Sequence, residues 1–158
     1  MKNIVFVCTG NICRSAMAEG ILRSRALENG YCDYTVSSMG IQGLCRQKAS
    51  KEAITVCKEN CVDISGHVSR PLDFDELNHS DLIFTMEMQH NDFILMFLPH
   101  LADRVFMLGA WPEKDAQKHS IKDPMGCGLE EVRRAYDSIE GHIGRILPVL
   151  QDILADKP

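Results

Sequence analysis

The chain has 158 residues, 45% hydrophobic and 25% charged, with a formal net charge of −5. That length suits a single domain, read here as spanning 1–158, whose core is large enough to fold without a disulfide or a metal. The acidic balance argues against a general nucleic-acid binder, which needs a basic face, but not against a small local anion pocket.

Along the chain, strand and helix patterns alternate. Ile4-Val5-Phe6-Val7 is a continuous apolar run, as expected of a strand buried on both faces. A helix is expected from Ser15 to about Glu28, with Met17, Ile21, Leu22 and Leu27 on its apolar side and Asn29-Gly30 as its stop. Tyr34 to Ser37 reads as a second strand, and Ala49 to Lys58 as a second helix with Ser50 near its start. Asp81 to Thr85 is a third strand, Met88 to Phe97 a helix ending before Pro99, and Arg104 to Met107 a fourth strand. The last element, Leu129 to about Leu154, carries Val132, Tyr136, Ile139, Ile143, Ile146, Leu147 and Leu150 at helical steps of three and four. Pro148 lies inside it, and a kink is expected there.

This alternation implies a three-layer α/β fold, a parallel sheet with helices on both faces. Such sheets bind ligands beyond the carboxyl ends of their strands. The residue after the first strand is Cys8, which opens Cys-Thr-Gly-Asn-Ile-Cys-Arg-Ser over positions 8–15. A strand-to-helix loop turns its N–H groups toward the helix N-terminus, where anions are favoured, and Gly10 eases the loop's path. Thr9, Gly10, Asn11, Ile12, Cys13, Arg14 and Ser15 thus form a phosphate-binding loop, with Arg14 offering two donors to phosphate oxygens. The same positive field favours a thiolate at Cys8, aimed at the bound phosphorus. Ser15 is placed to cap the helix and to donate to the sulfur, and Asn11 to tie the loop backbone together. The plainer alternative is a buried, inert cysteine and a surface arginine; the motif's place between first strand and first helix favours chemistry.

Cleaving a phosphate ester also needs a proton for the departing oxygen. Asp123, held extended by Pro124, lies between the fourth strand and the last helix and is the candidate acid. An Asp-Pro pair alone marks only a turn; Cys8 and Arg14 give it meaning.

Seven cysteines leave at least one outside any internal bridge. The opening MKNIVFVCTG is too short for a signal peptide, and no later apolar run is long enough to span a membrane, so a cytoplasmic, reducing setting is expected. There is no Cys-x2-Cys pair, and neither a metal nor a cofactor is expected.

VCTGNICRS with the following AMAEG, Ser37-Ser38, DISGH-x-SR at 63–70, SDLIFTM at 80–86 and KDP at 122–124 together resemble the low-molecular-weight protein tyrosine phosphatases along nearly the whole chain. The resemblance implies a four-stranded parallel sheet and a metal-free reaction. Cys8 would form a phosphocysteine, Arg14 and the amides of 9–14 would hold the phosphate, and Asp123 would act as acid and then base. It implies a hydrogen-bond network of Asn11, Ser15, Ser38 and His67 shaping the loop, although His67 read alone is an ordinary polar surface residue. It also allows a reversible Cys8–Cys13 disulfide, against which Cys13 as a packing residue stands equally. Ile12 and Leu44 are the expected walls for a phenyl ring, and bulky Ile12 favours phosphotyrosine over phosphoarginine. Where the family usually has an aromatic residue after Asp-Pro, this chain has Met125-Gly126. The implied partner is a phosphotyrosine protein, with inorganic phosphate released, no nucleic acid or membrane, and a monomeric enzyme. An arsenate reductase of this fold is disfavoured because Phe84-Thr85-Met86-Glu87 lacks cysteine. A phosphocysteine carrier is disfavoured by Arg14 and Asp123-Pro124, and nothing in the sequence points to a binding module that has lost catalysis.

Overall fold

The structure is a computed structural model that describes residues 2–31, 33–43, 46–112 and 119–155, with side chains through Leu150. Four strands, β1 (Lys2–Cys8), β2 (Tyr34–Gly40), β3 (Leu82–Thr85) and β4 (Val105–Met107), form a parallel sheet in the order β2-β1-β3-β4. Five α-helices accompany them: α1 (Arg14–Glu28), α2 (Lys51–Glu59), α3 (Phe74–Asn78), α4 (Met88–Phe97) and α5 (Leu129–Ala155).

The alternating side chains of β1 build a core on each face. Ile4, Phe6 and Cys8 join Phe84 and the apolar faces of α1, α2 and α5. Val5 and Val7 join Met39, Ile83, Val105 and Ile94 of α4 on the other face. Both sides of the strand are therefore dry, which is why its sequence is a run rather than an alternation. Because β2 and β3 lie on opposite sides of β1, the chain leaves β1 at the point where strand order reverses, where open α/β sheets form crevices.

Several sequence expectations are corrected. Leu27 does not share the buried face of α1: it is 72% exposed, whereas Met17, Ile21 and Leu22 are fully buried. Strand β2 continues to Gly40, three residues beyond its apolar signature, because Ser38, Met39 and Gly40 pair with Phe6, Val7 and Cys8. Helix α2 begins at Lys51, since the Ser50 hydroxyl caps it by accepting the Ala53 N–H at 3.1 Å. Short α3, capped by Asp73 on Glu76 N–H, was not visible as a pattern because a single turn carries almost no periodicity. Pro148, where a kink is expected, lies inside α5, and the helix continues past it to Ala155.

The α5 stripe is buried as its spacing implies, with Tyr136, Ile139, Ile143, Ile146 and Leu150 all at zero exposure. Ile139→Ala would remove a full side chain from the core between α5, α1 and the sheet. The expected cost is about 2–5 kcal/mol, read as a lowered midpoint in urea denaturation.

Candidate active site

The loop from Cys8 to Ser15 leaves the carboxyl end of β1 and enters α1. The Cys8 Sγ lies 3.0 Å from Ser15 Oγ, and both groups are buried. Ser15 does not cap the helix: the N-cap is Cys13, without a side-chain capping bond. Ser15 Oγ instead accepts from Asn11 Nδ2 at 2.9 Å, which leaves its own proton available for the sulfur.

Asn11 takes a positive φ, at 56°, and the neighbouring Gly10 does not. Asparagine tolerates this left-handed region better than most side chains. Fully buried, it is tied through both ends of its side-chain amide and through its carbonyl. Its Nδ2 donates to Ser38 Oγ at 2.8 Å as well as to Ser15, its Oδ1 accepts Arg70 N–H at 2.9 Å, and its carbonyl accepts from His67 Nε2 at 2.7 Å. Ser38 in turn donates to Glu19 Oε2 at 2.5 Å. Arg70 grips the Ser38 carbonyl through Nε at 3.0 Å and forms a fork on Glu76, whose carboxyl this pairing holds below its ordinary pKa. His67 is thus a half-buried partner of the loop rather than an unattached surface residue.

Gly40 closes the back of the loop. A Cβ there would stand 2.7 Å from Thr9 O and 2.9 Å from Asn11 N, both backbone atoms. The strand and loop are also joined by Ile41 N–H to Cys8 O at 3.0 Å and Gln42 N–H to Thr9 O at 2.9 Å.

Arg14 is 1% exposed, so its charge requires compensation from within the fold. Nη1 donates to Glu87 Oε1 and to the Ile121 carbonyl at 2.8 Å, and Nη2 lies 3.0 Å from Asp123 Oδ2. Asp123 reaches it from the loop after β4, a segment anchored by Ile121 N–H to Met86 O at 2.9 Å. Residues predicted from two separate stretches, Cys8 and Arg14 in one loop and Asp123 in another, thus meet at the carboxyl ends of β1 and β3.

The sequence matches the low molecular weight phosphotyrosine protein phosphatase family over residues 3–156. The chain belongs to this family of phosphatases. It is 30% identical to the low molecular weight protein-tyrosine-phosphatase Etp of Escherichia coli K12 over 139 residues, 88% of each chain. It is 31% identical to the protein-arginine-phosphatase of Bacillus subtilis over 138 residues, covering 87% of this chain and 89% of that one. The YwlE arginine phosphatase structure from Geobacillus stearothermophilus superposes with a TM-score of 0.88 at 30% identity, covering 100% and 99% of the two chains. The family acts on phosphorylated proteins, and among the described residues no helix is long and apolar enough to cross a membrane.

Cys8, Arg14, Asp123 and loop positions 9–15 lie together, as do Ser38 and His67. Ile12 is partly exposed, while the other expected wall, Leu44, lies outside the described residues. Cys13 is a buried free thiol pushed up to about 12, by burial first and then by Cys8 and Asp123, so it stays protonated. Met125 in the rim position is exposed, and its N–H rests on Asp123 Oδ1 at 3.2 Å.

Sequence reasoning missed Glu87, His90, Glu19, Arg70 and Gly40. Glu87 and His90 sit at the start of α4, where Glu87 N–H donates to His90 Nδ1 at 3.2 Å. That bond assigns the ring proton to Nε2, which donates to Thr9 Oγ1 at 3.1 Å. The signal available was a polar pair directly after a buried parallel strand, the position from which such folds reach their ligands. Burial, then the Arg14 charge, lowers the His90 pKa to about 4.

Two consequences are measurable. Gly40→Ala would push the Thr9–Asn11 backbone and lower kcat/KM on p-nitrophenyl phosphate on the order of 10²-fold, the scale of a displacement of about 1 Å. His90 is neutral in the folded protein down to about pH 4, whereas unfolded it takes up a proton below about pH 6.5. The unfolded state then binds more protons, so stability contributed by neutral His90 is complete above pH 6.5 and falls by roughly 3 kcal/mol toward pH 4. Urea denaturation across this window should show a shallower pH slope for His90→Gln than for the wild type.

Proposed function

We propose that the protein is a protein-tyrosine phosphatase that works through a phosphocysteine, with Cys8 as nucleophile. The observation that carries this reading is the junction of a Ser15-bonded thiol with a buried arginine that touches Asp123 at 3.0 Å. Arg14 and the loop amides hold the phosphate oxygens, so phosphorus faces the Cys8 sulfur. Sulfur forms a bond to phosphorus as the bond to the aryl oxygen breaks, and protonated Asp123 delivers its proton to that oxygen. Asp123, now a carboxylate, takes a proton from water as the water oxygen attacks phosphorus. The sulfur–phosphorus bond breaks, inorganic phosphate leaves, and Cys8 returns as a thiolate, eased by the Ser15 hydroxyl. No step in this sequence calls for a metal or cofactor.

Asn11, Ser38 and His67 act by fixing the loop, and Ile12 supplies an apolar wall suited to a phenyl ring. The reading takes 1–158 as one domain, monomeric and cytoplasmic, acting on phosphotyrosine in proteins. A second reading, phosphoarginine as substrate, draws on the Bacillus relative's name and on Glu87 beside Asp123. Two carboxylates at the mouth suit a guanidinium leaving group.

The test is hydrolysis of p-nitrophenyl phosphate by the reduced protein with EDTA present. Wild type is expected to turn over, Cys8→Ser to be inactive, and Asp123→Asn to lose about 10²–10⁴-fold in kcat. A wild type inactive under these conditions overturns the reading. Matched phosphotyrosine and phosphoarginine peptides then choose the substrate, with the former expected to have the higher kcat/KM.

A further inference from the structure

A cavity of about 700 Å³ lies between α1, the end of β2 and the 62–70 segment. Its volume is that of a small-molecule site. Among the described residues its lining includes neither Cys8, Arg14 nor Asp123. It does include Ser38, His67 and Arg70, the three residues outside the loop that hold Asn11, together with Glu19, which accepts from Ser38. The polar floor of the cavity is therefore the outer side of the network that shapes the loop.

The upper walls differ in character. Leu27 and Val68 are exposed apolar lips, and Val62 and Ile64 continue that surface inward. The wall sits close to α1 because residue 20 is glycine: a Cβ there would meet Ile64 Cγ2 at 2.4 Å. Charge points to the ligand class. Arg70 is taken up by Glu76 and Arg23 pairs with Glu19 at 2.8 Å, while Asp63 adds a second lining carboxylate, bonded to the Ser65 N–H at 2.8 Å. A half-polar, open pocket with apolar lips, an exposed rim carboxylate and a floor carboxylate that shares one oxygen with Arg23 and offers the other suits an organic cation.

We propose that this cavity is an effector site for small organic ammonium ions, read out at Cys8 through Glu19, Ser38, Asn11 and Ser15. An ammonium group bonded to Glu19 Oε2 competes with the Ser38 hydroxyl for that oxygen. Ser38 is one of two acceptors of Asn11 Nδ2, and the other is Ser15, which contacts the Cys8 sulfur. Occupancy therefore lowers turnover without entering the phosphate pocket. The regulatory half of this inference rests on the proposed role of Cys8; the binding half does not.

Phenethylamine is the probe, with phenethyl alcohol as its neutral counterpart, each titrated into isotope-labelled protein and followed by NMR. The expected result is amide shifts at Glu19, Gly20, Ser38 and His67 that persist under saturating inorganic phosphate, with the alcohol at least about tenfold weaker. Phenethylamine should also lower kcat on p-nitrophenyl phosphate several-fold while KM changes little. Leu27→Lys, on the exposed lip, should weaken the amine by about tenfold and leave kcat and KM without amine unchanged. Displacement of the amine by phosphate, equal binding of the alcohol, no effect of Leu27→Lys, or binding without a change in kcat would each overturn the proposal. If the protein free of amine does not hydrolyse p-nitrophenyl phosphate, the proposed function fails, while the amide shifts still decide the cavity.

Discussion

The buried guanidinium of Arg14 is the constraint around which the site is organised. A cation removed from water costs several kcal/mol unless acceptors surround it. The fold gathers those acceptors from three places: Glu87 at the start of α4, the Ile121 carbonyl, and Asp123. Satisfying one charge therefore draws the segment after β3 and the loop after β4 toward the loop after β1. The carboxylate suited to proton transfer and the arginine suited to phosphate arrive together for the same electrostatic reason.

A second knot, centred on Asn11, links the loop to the other side of the sheet. One amide side chain and one carbonyl bind Ser15, Ser38, Arg70 and His67. Strain from the left-handed backbone at Asn11 is offset by these bonds, and those to Ser38 and Ser15 connect β2 to the partner of the Cys8 sulfur. Gly40 completes the arrangement by letting strand and loop backbones touch. A loop restrained in this way keeps its donors pointed at a ligand without reorganising, the condition for electrostatic preorganisation.

His90 illustrates how burial sets chemistry near such a charge. Its ring is dry and close to Arg14, so it stays neutral and serves as a fixed donor to Thr9 rather than as a proton shuttle. Cys13 is held as a thiol by the same combination of burial and neighbouring charge, though there the neighbours are anionic.

Much of the fold was legible in the chain itself. Buried strands, a long α5 stripe and a cysteine-to-arginine loop after the first strand follow from side-chain periodicity and local backbone chemistry, both of which act over a few residues. Asp123 was legible because proline marks its backbone. Glu19, Glu87, His90 and Arg70 were not, because an isolated polar residue has no local signature and gains its role only from the group it meets across 19 to 81 residues of chain. Leu27 fits a helical stripe in sequence, yet it is exposed, while its neighbour Ala26 is the residue buried at that end of α1. The sequence alone determined most of the elements and the candidate loop after β1. Only the tertiary structure decided which charges surround Arg14 and which side chains hold Asn11, because burial turns those long-range contacts from optional into necessary.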